Sequence, residues 1–204
     1  MKKYIIIILC LAFSYILNAQ NSKILVVYFS RVGNTQFDNN VDASTAASIV
    51  ANNNKMGTTE YVANVIKNQL NADIRLIETV NQYSKDFDDL VDKNHDEMRK
   101  NDFPKIKPLN IDISKYNTIF IGYPVWANDV PMAVRTFIRD YNLSSKTIIP
   151  FCTHDGYGAG RSYSTIRNMA KNANVLDGLA LDSSNIESKN NQIINWISKL
   201  NLKK

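Results

Sequence analysis

An α/β fold, a three-layer sandwich with a five-stranded parallel sheet and helices on both faces, is what this sequence predicts. Two observations carry that prediction. Short apolar runs rich in β-branched and aromatic residues, as in strands buried on both faces, alternate with segments whose apolar residues recur at helical spacing. Alternation of this kind needs crossover connections, and right-handed crossovers wind such a chain into a doubly wound sheet. Ligands in such a sheet lie beyond the carboxyl ends of the strands, where the strand order reverses.

Residues 24–29 (ILVVYF) form the first strand, a continuous apolar run. Residues 59–70 place Val62, Val65, Ile66 and Leu70 on one helical face. A second strand is expected over 73–80, and residues 86–100 read as a polar, charged helix or an ordered loop. The run TIFIG at 118–122 is the next buried strand, and the helix after it carries Val134, Phe137, Ile138 and Tyr141 on one face. Residues 146–152 form a strand, 162–171 a helix and 175–181 a weaker strand. The last helix, 187–200, buries Ile193, Trp196, Ile197 and Leu200. One biased stretch, residues 36–55, is rich in Asn, Ala and Ser and separates the first strand from its helix. It reads either as a lid over a bound phosphate or as a disordered loop.

Residues 1–19 read as a secretory signal peptide ahead of a single domain spanning 20–204. Lys2 and Lys3 supply the positive start, residues 4–17 an apolar run broken only by Ser14, and Ala19 a small residue before Gln20. That run is shorter than the roughly 20 residues of a membrane span, and bulky Leu9 argues against lipid attachment at Cys10. The expected location is periplasmic or otherwise extracytoplasmic, with no stable membrane span after cleavage. Cleavage removes two of the 24 basic residues and none of the 19 acidic ones, so the formal charge falls from +5 to +3. No dense basic stripe accompanies it, which speaks against nucleic acid as a partner. Cys152 is the one cysteine left, so an intramolecular disulfide is excluded.

Three loops at strand ends carry the chemistry. The first begins Ser30-Arg31-Val32-Gly33-Asn34-Thr35, a hydroxyl and glycine run of the kind that cradles phosphate with backbone N–H groups at a helix N-terminus. The amphipathic helix follows Gly57-Thr58-Thr59-Glu60 instead of Thr35, so the preferred cradle is split. Ser30, Arg31 and Val32 come from the strand end, and Gly57, Thr58 and Thr59 from the helix start. A contiguous cradle using Gly33, Asn34 and Thr35 is the second choice, and an ordinary turn before a capped helix is the plain alternative. The second loop runs from Pro124 through Val125, Trp126, Ala127 and Asn128 to Asp129. Trp126 is expected to face solvent and stack on a flat ligand, or else to pack on the following helix. In the third loop, Thr153-His154-Asp155 leads into Gly156, Gly158 and Gly160, whose backbone can approach a ligand edge closely. No Gly-x-Ser-x-Gly elbow, Gly-x-x-x-x-Gly-Lys or Gly-x-Gly-x-x-Gly occurs, and His95 and His154 lack the paired ligands of a metal site.

Taken together, YFSRVGNT (28–35), GTTEYVA (57–63), IGYPVWANDVP (121–131) and PFCTHDGYGAGRS (150–162) make the chain similar to the flavodoxin family. Within it the chain resembles a bacterial subgroup with Pro-x-Trp and Thr-His-x-Gly loops. The resemblance implies a flavodoxin-like fold with strand order 2-1-3-4-5 that binds flavin mononucleotide (FMN), with the phosphate at Ser30, Thr58 and Thr59. It implies that Val125 and Trp126 wall the flavin, while Thr153, His154 and Gly156 approach its polar edge. Many flavodoxins have a glycine after the aromatic residue, whose peptide flips on reduction; here Ala127-Asn128 occupies that stretch, and Asn tolerates left-handed backbone.

The function expected is electron transfer by bound FMN to or from a redox partner protein or a small-molecule donor or acceptor. The mature chain is mildly basic, with Arg31, Arg161 and His154 as candidates near the cofactor, which biases its potential upward. Two alternatives remain in view. One is an FMN-dependent NAD(P)H:quinone-type oxidoreductase; the other is a cofactor-free binding module on the same fold. No catalytic residue is assigned.

Overall fold

The computed structural model describes residues 23–36, 49–52 and 54–202. The signal-peptide expectation at 1–19 and much of the 36–55 stretch lie outside those residues.

Alternate side chains of the central strands divide the interior into two cores. In β1 (Lys23–Tyr28), Leu25 and Val27 face one way and Val26 and Tyr28 the other. In β5 (Tyr116–Pro124), Ile119, Ile121 and Tyr123 oppose Phe120, and in β6 (Thr147–His154), Ile148 and Cys152 oppose Ile149 and Phe151. Strands buried on both sides must be covered by helices on both sides. The first core receives α2 (Phe87–Lys100), α3 (Met132–Asp140) and α4 (Ser162–Met169), through Leu90, Val134, Phe137 and Ile166. The second receives α1 (Thr58–Leu70) and α5 (Asn190–Lys199), through Val62, Ile66, Ile193 and Ile197.

The sheet runs β4 (Asp73–Leu76), β1, β5, β6, all parallel, and β6 then pairs with both β7 (Asn174–Val175) and β8 (Leu179–Asp182). Positions 2-1-3-4-5 are therefore filled as expected, with the fifth divided in two. Ile148 O accepts from Leu176 N, so the next β6 residue facing that edge is Pro150. Pro150 has no N–H to donate, and the edge strand breaks there.

Two other boundaries differ from the sequence reading. The strand expected over 73–80 leaves the sheet after Leu76, and its tail pairs with another segment: Val80 N donates to Lys105 O and Lys107 N to Glu78 O. Within the 36–55 stretch, β2 (Ile49–Asn52) and β3 (Asn54–Gly57) form an antiparallel hairpin that ends at the start of α1. The polar segment at 86–100 is a helix, because both its ends are satisfied. Asp86 accepts from Asp89 N at the N-terminus, acidic Asp88 and Asp89 lie in the first turn, and Arg99 and Lys100 in the last. In the last helix Ile193 and Ile197 are buried, whereas Trp196 and Leu200 are partly buried, Trp196 standing edge-on to Phe120. Among the described residues no helix is long and apolar enough to cross a membrane.

Candidate functional site

The carboxyl ends of β1, β5 and β6 bring the three predicted loops together. At the first, Gly57 is the N-cap of α1 and makes no side-chain cap bond. A Cβ on Gly57 would lie 2.1 Å from Ser30 Oγ, so glycine lets the helix start sit on that hydroxyl without turning it aside. Thr58 and Thr59, both buried, direct their hydroxyls at Thr153 at the end of β6, at 3.3 and 2.7 Å. The split arrangement of Ser30 with Gly57, Thr58 and Thr59 is thus the one the fold assembles. Glu60 reaches back to Gly57 N–H and also receives the Tyr28 hydroxyl; burial nevertheless raises its pKa above the ordinary carboxylate value. Val32, half-buried beside them, bridges to Thr35.

Two members of that first loop serve the fold with their side chains. The Arg31 guanidinium donates to the carbonyls of Ser84 and Lys85, at 3.3 and 2.7 Å, and so binds the loop ahead of α2. Asn34 donates to Ser30 O and Ile77 O and accepts from both the N–H and hydroxyl of Thr79. Its amide is fully spent on joining this loop to the end of β4. The Arg31 guanidinium is thus turned to the loop ahead of α2, and neutral carbonyl partners leave its charge in place.

The second loop is a tight turn. Trp126 and Asp129 exchange N–H···O bonds of 3.0 and 2.9 Å, while Ala127 and Asn128 between them both have positive φ, 45° and 66°. This geometry follows the twist of flanking strands, and Ala127 holds it at a cost of about 1 kcal/mol. Pro124 is buried, paired to Thr153; Val125 is half-buried, and its N–H donates to Thr153 O. Trp126 does not face solvent. It is 5% exposed, edge-on to Phe29 at 5.2 Å and to Tyr83 at 5.3 Å, because the turn directs it back into the first core.

The third loop is fastened to the second. Arg161 N donates to Asn128 O, and Arg161 Nε pairs with buried Asp129 at 2.6 Å. Arg135 of α3 joins the same carboxylate at 2.7 Å. Gly160, at φ 54°, faces Asn128 O so closely that a Cβ would come within 2.3 Å of it. Arg161, expected near the cofactor, is held against Asp129, where two guanidinium groups share one carboxylate and the cluster keeps a net positive charge. Gly156 and Gly158 also have positive φ, yet nothing lies within 4 Å of where a Cβ would stand, so the turn itself is what requires glycine there. Cys152 under this loop is chemically quiet: burial pushes its thiol up to about 12.

Between the loops lies a cavity of about 390 Å³, within the range of small-molecule sites. Val125, Ala127, Asn128, Thr153 and His154 line it as the sequence anticipated. Tyr157 of the third loop lines it as well, as do Ser183 and Phe87, which no signal in their sequence context marked. Phe87 is 40% and Tyr157 83% exposed, two aromatic faces at the mouth of a cavity. Thr153 joins this space to the start of α1. The buried Nδ1 of His154 has no hydrogen-bond partner among the described residues. A helix start whose N-cap residue offers no side-chain acceptor to the first-turn N–H groups and which hydroxyls face, an adjoining cavity with aromatic rims and an unmatched polar atom in its wall together fit a flat ligand bearing an anionic tail.

Solved structures of known proteins share this fold. A structure assigned as a flavoprotein of Bacteroides eggerthii matches with TM-score 0.65 and 26% identity, covering 90% of this chain and all of that one. A second, from Bacteroides uniformis, gives TM-score 0.66 at 23% identity over 87% of this chain and 98% of that one. A flavoprotein of Lactobacillus acidophilus, solved in complex with FMN, shares the fold at TM-score 0.58 and 22% identity, covering 82% and 97%. No curated protein sequence matches. The family model described as Flavodoxin matches residues 47–200, from the hairpin before α1 to the end of α5. By that match over more than half its length, the chain belongs to the flavodoxin family.

Proposed function

We propose that this protein is an FMN-binding electron-transfer protein that works outside the cytoplasm. One observation carries the reading: a cavity walled by the loops after β5 and β6 adjoins, through Thr153, an α1 N-terminus without a side-chain cap. The flavin supplies the redox chemistry and the protein tunes it. Ser30, Thr58 and Thr59, with the free N–H groups of the first turn of α1, hold the phosphate. Val32 and Gly57 shape that cradle. Val125, Ala127 and Asn128 form one wall of the ring site, and Thr153, His154 and the Gly156–Gly160 turn the other. Pro124 and Trp126 support the wall from beneath. His154 faces the cavity, while Arg31 and Arg161 are held at its edge by the Ser84 and Lys85 carbonyls and by Asp129, and these basic residues bias the potential upward. Charged residues at 2 and 3, the apolar run to 17 and small Ala19 support export.

Titration of the purified protein with FMN, followed by flavin fluorescence and absorbance, tests the reading. One-to-one binding with a perturbed flavin spectrum is expected. Absence of binding overturns it and makes the fold a cofactor-free binding module. A second reading, a reductase drawing electrons from a nicotinamide dinucleotide, is favoured by a smaller cavity that shares Phe87, Val125 and Ala127 with the larger one. Steady NAD(P)H oxidation by FMN-loaded protein separates it from a pure carrier.

A further inference from the structure

Two groups converge on Gly57 at the start of α1. Its Cα lies against Ser30 Oγ, which a Cβ would meet at 2.1 Å, and its N–H donates to the Glu60 carboxylate. Glu60 is the one acidic residue of that first turn, and its reach back to the N-cap N–H is half of a capping box. From β1, the Tyr28 hydroxyl donates to the same carboxylate. The charges acting on these surroundings are acidic: Glu78, beyond β4, acts on Tyr28, and Glu187, ahead of α5, acts on Tyr61. Among the described residues no cation pairs with Glu60. Ser30, Thr58 and Thr59 are uncharged donors, and the Arg31 guanidinium is turned to the Ser84 and Lys85 carbonyls. The predicted phosphate cradle thus carries a carboxylate of its own.

We propose that Glu60 sets the charge of the ligand this cradle accepts: a phosphate monoester is held with one added proton, shared between its phosphate and the Glu60 carboxyl. A carboxylate on a helix start uses the same N–H groups and the same positive dipole end that a phosphate needs. Two anions on one turn repel, and a like charge so close raises the pKa of one partner. Glu60 is disposed to take the proton, since burial already holds its pKa above the ordinary carboxylate value. A free phosphate monoester loses its second proton near about pH 6, so above neutrality the added proton comes from water or buffer. One O–H bond forms and no other bond changes. Glu60 thereby weakens the site for a dianion, and a neutral residue there strengthens it. The proposal rests on the reading that the FMN phosphate lies at the start of α1.

The test is calorimetry of FMN binding to the purified protein at about pH 7.5, in buffers of different ionisation enthalpy, with riboflavin as the ligand that lacks the phosphate. Uptake of about one proton per FMN and none per riboflavin is expected. Glu60→Gln keeps an oxygen to accept from Gly57 N–H or Tyr28. It is expected to abolish the uptake and to bind FMN roughly tenfold or more tightly at that pH, with riboflavin affinity unchanged. FMN binding without proton uptake, uptake that persists in the variant, or a folded variant that binds FMN no better overturns the proposal. The two ligands compared on the unmodified protein decide the matter even if the variant fails to fold. Failure of the FMN reading shows separately, as absent FMN binding. Sulfate, an anion that takes no proton itself, then reports on Glu60 in the apo protein. The NMR titration midpoint of the Glu60 carboxyl carbon is expected to rise by about one pH unit at saturating sulfate. A midpoint that sulfate leaves in place overturns the proposal.

Discussion

Asp129 joins two loops of different strands: its buried carboxylate takes Arg161 Nε at 2.6 Å and Arg135 at 2.7 Å, and its other oxygen accepts Val130 N. Asn128 O, one residue earlier, accepts Arg161 N. The two cavity walls after β5 and β6 therefore move as one unit. Asp129→Asn removes the charge that both arginines share. Since Arg161 is largely exposed and can resolvate, the expected loss of stability is about 1–3 kcal/mol, below that of a fully buried pair. Denaturant unfolding measures it. FMN dissociation is expected to speed up in parallel, and a variant that unfolds sooner yet releases FMN at the original rate contradicts the coupling.

At the start of α1, Gly57→Ala drives a Cβ into Ser30 Oγ. Overpacking of this kind costs about 1–3 kcal/mol. Ser30→Ala in the same chain removes the obstructing oxygen and restores most of the melting temperature. It does not restore phosphate affinity, because Ser30 is one of the donors.

Ala127 sits at φ 45° between the reciprocal bonds of Trp126 and Asp129. Glycine relieves about 1–2 kcal/mol of left-handed strain and gives back about 0.4–1 kcal/mol through the freer unfolded chain. Ala127→Gly is thus expected to be stabilising by a few tenths to about 1 kcal/mol. Thermal melting decides the sign, and a lowered midpoint refutes the strain argument.

Glu97 of α2 is almost fully buried, with Tyr83 OH on one oxygen at 3.1 Å and Lys93 3.5 Å from the other. Burial raises its pKa despite those partners. A carboxyl whose folded pKa is raised contributes its stability below the ordinary carboxylate range, and that stability is lost as pH rises through the folded pKa. Glu97→Gln keeps an acceptor for Tyr83 and removes this pH-dependent loss. The variant is therefore expected to gain on the parent as pH rises from the carboxylate range towards neutrality. Parallel stability profiles for the two proteins would show that burial does not perturb Glu97.

Export predicts a mature chain beginning at Gln20. Expression of the full chain in a Gram-negative host, followed by intact mass measurement of the periplasmic fraction, is expected to show loss of residues 1–19. Protein retaining Met1 in the cytoplasmic fraction contradicts it.

Local pattern was enough for the layers. Runs such as ILVVYF and TIFIG are apolar on consecutive residues because both faces are covered, and that property is readable without knowing the partners. The same holds for helix starts: Asp86 before the acidic turn of α2 is a cap written in sequence. The broken fifth strand was legible in part, since Pro150 is visible, but its effect depends on which edge its missing N–H faces. That is a property of the paired sheet.

The sequence by itself determined the α/β sandwich and the three loops at the carboxyl ends, because periodicity and turn residues act within a few positions of one another; the strand order followed only from the resemblance to the flavodoxin family. Tertiary structure decided what each side chain in those loops does. Arg31 turns to the carbonyls of Ser84 and Lys85, Arg161 to Asp129, and Trp126 into the core beside Phe29 and Tyr83. Every one of those partners is distant in sequence. A long cation or a large ring goes to whichever partner the folded chain brings within hydrogen-bond or van der Waals reach, and that choice is made only when strands far apart in the chain are laid side by side.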